Sequence, residues 1–128
     1  MLLEWNTGSL VLPDDLQWVD EFTWTPVQND VVYLLNGSVL ISSIARTSGR
    51  PITLVSQENG AFLTRTMIES LYTISGTADL EMVVTLHDER SFDVKFNTVP
   101  FTAKPIVFFS PQINTDYYSV SINLIEYA

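Results

Sequence analysis

Apolar residues fall on every second position through two stretches of this chain, and that period of two constrains the fold more than any other feature. Met82, Val84 and Leu86 alternate with Val83, Thr85 and His87. Phe92, Val94 and Phe96 then alternate with Ser91, Asp93 and Lys95. Asp88-Glu89-Arg90 lies between the two runs, so the segment reads as a hairpin with one buried face. Tyr118, Val120, Ile122 and Leu124 alternate with Ser119, Ser121 and Asn123, which predicts a long final strand.

The rest of the chain adds shorter strands and one helix. Ser9–Leu12 is an apolar strand stopped by the turn signal Pro13-Asp14-Asp15. Trp18–Thr25 is acidic and aromatic and stops at Pro26. Val31–Leu35 and Ser38–Ile44 flank Asn36-Gly37, a dipeptide suited to the two positive φ angles of a type I′ turn. Pro51–Val55 is a strand whose proline takes the first position, where no ladder donor is lost. Ile106–Phe109 is a short apolar strand between Pro105 and Pro111. Leu63, Met67, Ile68, Leu71, Tyr72 and Ile74 recur at spacings of three and four, which predicts a helix over about 64–75 with one buried face. Thr64 or Thr66 is placed to cap its start, and Gly76 to end it in the left-handed conformation. The expectation is a mainly β (α+β) single domain over 1–128, an antiparallel β-barrel or rolled sheet of about seven or eight strands with one short helix.

Composition narrows the function. Of 128 residues, 46% are apolar and only 16% charged, against about 25% charged in an average domain. A chain so poor in charge is expected to cover part of its outside with a partner. The first 45 residues carry six acids and no base; the remainder carries six bases and nine acids, for a net charge of −9. That balance repels phosphates and anionic headgroups, so neither nucleic acid nor a membrane surface is an expected partner. There is no cysteine, hence no disulfide or thiolate chemistry. No apolar run reaches the ~18 residues of a membrane span, and Met1–Trp5 has no signal-like character, so synthesis in a cytoplasm is the expectation.

The search for chemistry finds little. His87 is the only histidine, next to Asp88 and Glu89 at a predicted hairpin tip. A lone histidine cannot build a zinc site, and no Gly-x-Ser-x-Gly elbow accompanies it; a small hydrolase using His87 with an acid is the weakest reading. Asp14-Asp15 and Asp20-Glu21 lack the spacing of a calcium loop and read as turn or interface charges. Gly49 and Gly60 are isolated, so there is no phosphate-cradling loop. No catalytic residue, metal ligand or cofactor site is expected. The tryptophans Trp5, Trp18 and Trp24, with Phe22, leave a carbohydrate- or ligand-binding platform as the alternative. Core or subunit interface is the preferred reading, because aromatics with few charges around them are what buried interface centres use. Trp18, Phe22, Trp24, Leu124, Ile125 and Tyr127 are the candidate interface residues, with 1–45 as a possible arm and the C-terminal strand as a possible edge for a neighbour.

A family resemblance enters between Gly49 and Phe96. Gly49-Arg50-Pro51-Ile52-Thr53-Leu54 is followed by Ala61-Phe62-Leu63-Thr64-Arg65, by the helix Thr66–Ile74, and by the hairpin from Thr85-Leu86-His87-Asp88-Glu89-Arg90 to Phe96. This order resembles small tail proteins of tailed bacteriophages near the tail tip or baseplate and, more loosely, distal-tail and hub proteins whose β-barrels form rings. It departs from the pattern at Glu89, where glycine is expected. The resemblance covers a little over a third of the chain and rests on turns and strand edges. It implies a non-enzymatic structural protein of the virion tail, made in the bacterial host cytoplasm. Such a protein forms a homo-oligomeric ring and contacts other tail proteins.

Overall fold

A computed structural model describes residues 1–46, 49–56, 60, 62–106, 113 and 116–127. The described strands are β1 (Leu2–Trp5), β2 (Gly8–Val11), β3 (Gln17–Trp18), β4 (Val27–Tyr33), β5 (Val39–Ala45), β6 (Pro51–Val55), β7 (Leu63–Thr64), β8 (Met82–Thr85), β9 (Ser91–Pro105) and β10 (Tyr117–Glu126), with the single described helix α1 over Arg65–Ser75. Eight strands make one antiparallel sheet in the order β2-β1-β8-β9-β10-β6-β3, with β7 also on β10; β4 and β5 form a separate two-stranded sheet. The mainly β architecture with one short helix is thus as expected, with more strands than the sequence suggested.

The sheet rolls but does not close into a barrel. Its end strands β2 and β3 are not neighbours. β3 is only two residues long, and β2 stops before Pro13, so neither end offers a ladder long enough to close on the other. The roll is nevertheless tight. The Trp18 ring on β3 meets the Phe92 ring on β9 edge to face, with centroids 5.5 Å apart. Inside the roll lie Leu3, Ile52, Leu54, Leu63, Leu71, Met82, Val84, Val94, Ile122 and Leu124, all almost inaccessible to water. The alternating residues of β8 and β10 fall on this face as the period of two requires.

Several local expectations are corrected. β9 continues past Phe96 to Pro105 as one fifteen-residue strand. It carries an irregularity where Ile122 pairs with Phe101 but Leu124 pairs with Phe96, so Asn97–Pro100 bulges out opposite Asn123. The Asn123 amide ties the bulge by donating to the Val99 carbonyl at 2.9 Å, and Pro100 sits where no ladder bond is needed. Leu63 belongs to β7 rather than the helix. Thr64 caps α1 through its extended backbone alone, without a side-chain hydrogen bond, and Gly76 ends it at φ −79°, right-handed. Gly76 donates to the Thr73 carbonyl, a tightened last turn that needs no left-handed residue. Positive φ falls instead on Asp79, at 53°. Tyr72 points outward and is 74% exposed, so the buried face of α1 is narrower than expected and centres on Leu71 and Ile74. Most of the predicted strand Ile106–Phe109 lies outside the described residues.

Candidate assembly interface

β4 and β5 form a hairpin that stands apart from the rolled sheet. All fourteen strand residues are exposed, and in the ladder each strand pairs with the other alone. Seven residues per strand make it roughly 23 Å long. Its turn is not the expected type I′. Gly37 N–H donates to the Leu34 carbonyl at 3.0 Å, and Leu34 N–H to the Ser38 carbonyl at 2.8 Å. Only Gly37 has positive φ, at 85°. Leu35-Asn36-Gly37 is therefore a three-residue loop, a type I turn followed by a left-handed glycine. The Asn36 Oδ1 accepts from Ser38 N–H and supports it.

The register places directly opposed residues on one face. Val31 faces Ile41 and Tyr33 faces Val39 on one side; Val32 faces Leu40 on the other. Polar pairs, Asn29 with Ser43 and Asp30 with Ser42, separate this outer half from the base. The outer half is thus apolar on both faces, and residues 31–41 contain no charged side chain. Ten large apolar residues of the hairpin are 39% exposed or more, and Leu35 is completely so. Eight of them, from Val31 to Ile41, cluster in the outer half, and large contiguous exposed apolar clusters are uncommon on soluble monomers. A two-stranded hairpin without a covered face is marginal in water. At its base, Arg46 N–H donates to the Pro26 carbonyl at 2.8 Å, and the Arg46 guanidinium lies over the Trp24 ring at 5.8 Å.

The residues singled out from the sequence scatter over the molecule. Phe22 is 89% exposed, on the turn before the hairpin, and Trp24 is half-buried at the hairpin base. Trp18 belongs to the body, with Arg50 and Arg90 over its ring at 4.6 and 5.6 Å. Leu124, 1% exposed, belongs to the core and not to a surface. Ile125 is half-buried between Lys95 and Pro51, and Tyr127 lies at the surface near the Lys95 ammonium, 5.2 Å from its ring centre. The Tyr127 hydroxyl titrates above its ordinary range, first through desolvation and then through the charges of Glu81 and Asp93. β10 runs between β9 and β6, so the final strand has no free edge for a neighbour. The proposed arm narrows in the same way: β1, β2 and β3 are part of the main sheet, and only the β4–β5 hairpin projects.

Nor do the polar candidates gather into a site. Asp20 is a staple, accepting from Thr53 N–H at 3.0 Å and Thr53 Oγ1 at 2.9 Å. The Glu21 carbonyl accepts from Arg50, and its carboxylate from Arg90 at 2.8 Å. Arg90 holds its proton more firmly than usual because of the bonds to Glu21 and then Asp88, against some desolvation. His87 is exposed at the β8–β9 tip. Among the described residues no three His, Asp or Glu side chains are placed to hold a metal ion. The tryptophans share no platform: Trp5 lines a cleft with the α1 C-terminal turn, including Thr73 and Ile74, whereas Trp18 sits on the edge strand β3.

A second apolar feature was not anticipated from the sequence. α1 lies across β9 and β10 and leaves a cleft of about 480 Å³, with Ile68 and Tyr72 on the helix wall and Phe101, Ala103 and Tyr118 on the sheet wall. Arg65 closes one end, donating to the Tyr118 hydroxyl at 2.6 Å and paired with Glu69 at 3.2 Å. The signal lies in Tyr72, a large aromatic that the helical period assigns to the core but that stands 74% exposed beside the buried Leu71 and Ile74. Compared with family models, curated proteins and solved structures, the chain matches none.

Proposed function

We propose that this chain is a structural subunit of a bacteriophage tail tip or baseplate, non-enzymatic, working by homo-oligomerisation and by contact with other tail proteins. The observation that carries the reading is the β4–β5 hairpin, apolar on both faces of its outer half and uncovered in the single chain. A surface of that size and composition is maintained for a partner, since in an isolated chain it promotes aggregation. The tail assignment within that class rests on the resemblance of residues 49–96 to small tail proteins. An aspartate pair, Val32→Asp with Leu40→Asp, tests the reading, because it charges one face of the hairpin without touching the core. The double variant is expected to fold with an unchanged melting temperature. It is also expected to lose both self-association in sedimentation and incorporation into purified tail particles. Normal incorporation of the variant, or a native chain that neither self-associates nor joins tail particles, contradicts the reading.

A further inference from the structure

We propose that the occupant of the hairpin is a second copy of this chain, which takes the hairpin tip into its cleft between α1 and the sheet. This rests on the assembly reading above and names the partner and its receiving surface.

Two observations carry it. The first is shape. The outer hairpin is a thin blade apolar on both faces, and a ladder partner alongside it would leave both faces wet. The cleft has two apolar walls, Ile68 and Tyr72 opposite Phe101 and Tyr118, so it covers both faces of an inserted tip. Leu35, wholly exposed at the end of the blade, is the protrusion, and about 480 Å³ is room for it and Leu34. The second is charge. Copies carrying −9 each repel over most of their surface. Residues 31–41 carry no charge, and at the cleft Arg65 and Glu69 are paired with each other. Two copies therefore approach without like-charge repulsion at these surfaces.

Protrusion and cleft occupy different parts of the chain, so the contact is heterologous: each copy gives a tip and receives one, and the series closes into a ring when the rotation between copies permits. That predicts a complementation that no symmetric tip-to-tip pairing gives. Leu35→Asp spoils the tip and keeps the cleft. Tyr72→Glu spoils the cleft and keeps the tip, at a helix position already 74% exposed. Sedimentation velocity on the full chain is expected to show the native protein associating and each variant alone monomeric, weakened roughly tenfold or more by an aspartate or glutamate forced into an apolar contact. An equimolar mixture of the two variants is expected to form a dimer and to stop there. A Tyr72→Glu chain that assembles like the native protein, or a mixture that stays monomeric, overturns the proposal. A photo-reactive residue at position 35 of the otherwise native chain gives a readout independent of variant folding. Cross-links to 65–73 or 101–103 of another copy are expected; cross-links to the hairpin of another copy instead, or to no second copy, overturn it. A native chain that stays monomeric overturns the proposal too, whereas the assembly reading fails only if that chain also stays off tail particles.

Discussion

The molecule contains two hairpins with the same turn and opposite surroundings. In β8–β9, Leu86 N–H donates to the Arg90 carbonyl and Glu89 N–H to the Leu86 carbonyl, at 2.8 and 3.0 Å; in β4–β5, Leu34 and Ser38, Gly37 and Leu34 repeat those bonds at the same distances. The third loop residue is left-handed in both, Glu89 at φ 70° and Gly37 at 85°. The second is Asp88 or Asn36, each accepting from the backbone N–H two residues on. Only the packing differs. Val84 and Val94 of β8–β9 are completely buried, whereas Val32 and Leu40 of β4–β5 are more than half exposed. Turn chemistry therefore sets the register of both hairpins, and burial decides which of them is stable in the single chain. The hairpin with an ideal glycine lacks a core, while the one with a core tolerates a glutamate in a strained position.

Core truncation should separate the two regions most sharply. Leu124→Ala, behind β8–β9, is expected to cost about 2–5 kcal/mol in urea unfolding of the monomer, whereas Leu40→Ala in the exposed hairpin should stay within ~0.5 kcal/mol. Comparable losses at the two sites would break the comparison, by showing that β4–β5 shares the core's cooperativity. Asp20→Ala comes next. It removes the acceptor of both Thr53 bonds and loosens the loop that carries Glu21 to Arg90 at the β8–β9 tip, at an expected cost of about 1–3 kcal/mol. No measurable loss would mean that packing alone holds this loop. The smallest effect belongs to the turns. Glu89→Gly relieves a left-handed non-glycine residue and should stabilise the monomer by roughly 0.5–1 kcal/mol after the added chain entropy of glycine. Gly37→Ala strains the equivalent position and is expected to weaken self-association while leaving global unfolding unchanged. If Gly37→Ala lowers global stability as much as Glu89→Gly raises it, the two hairpins are not energetically separate.

Much of the main sheet was legible in the sequence because one buried face imposes a period of two, as in β8, the first half of β9, and β10. The residues at Glu89 carried a further clue, since the resembled pattern places glycine where the backbone is left-handed. Other features depend on tertiary context. The bulge at Asn97–Pro100 hides the continuity of β9, because polar residues and a proline interrupt the alternation that the strand resumes at Phe101. β1 is missed because a run of four residues is too short to show a period, and Tyr72 is misplaced because a helical period says which residues share a face but not which of them the sheet covers. The largest uncovered apolar surface lies elsewhere than the residues singled out from the sequence. Low charge pointed to a covered surface, yet the aromatic candidates Trp18 and Trp24 anchor the body and the hairpin base. The exposed Val, Leu and Ile of the hairpin look like an ordinary buried strand pair in sequence.

Amide hydrogen exchange of residues 27–45, followed from dilute monomer to concentrated protein, tests most directly whether the hairpin depends on a partner. The expected result is near-unprotected exchange in the monomer, beside slow exchange in β8, β9 and β10, with strong protection of 31–41 once the chain associates. Protection in the monomer equal to that of the main sheet, or exchange that association leaves unchanged, would contradict it.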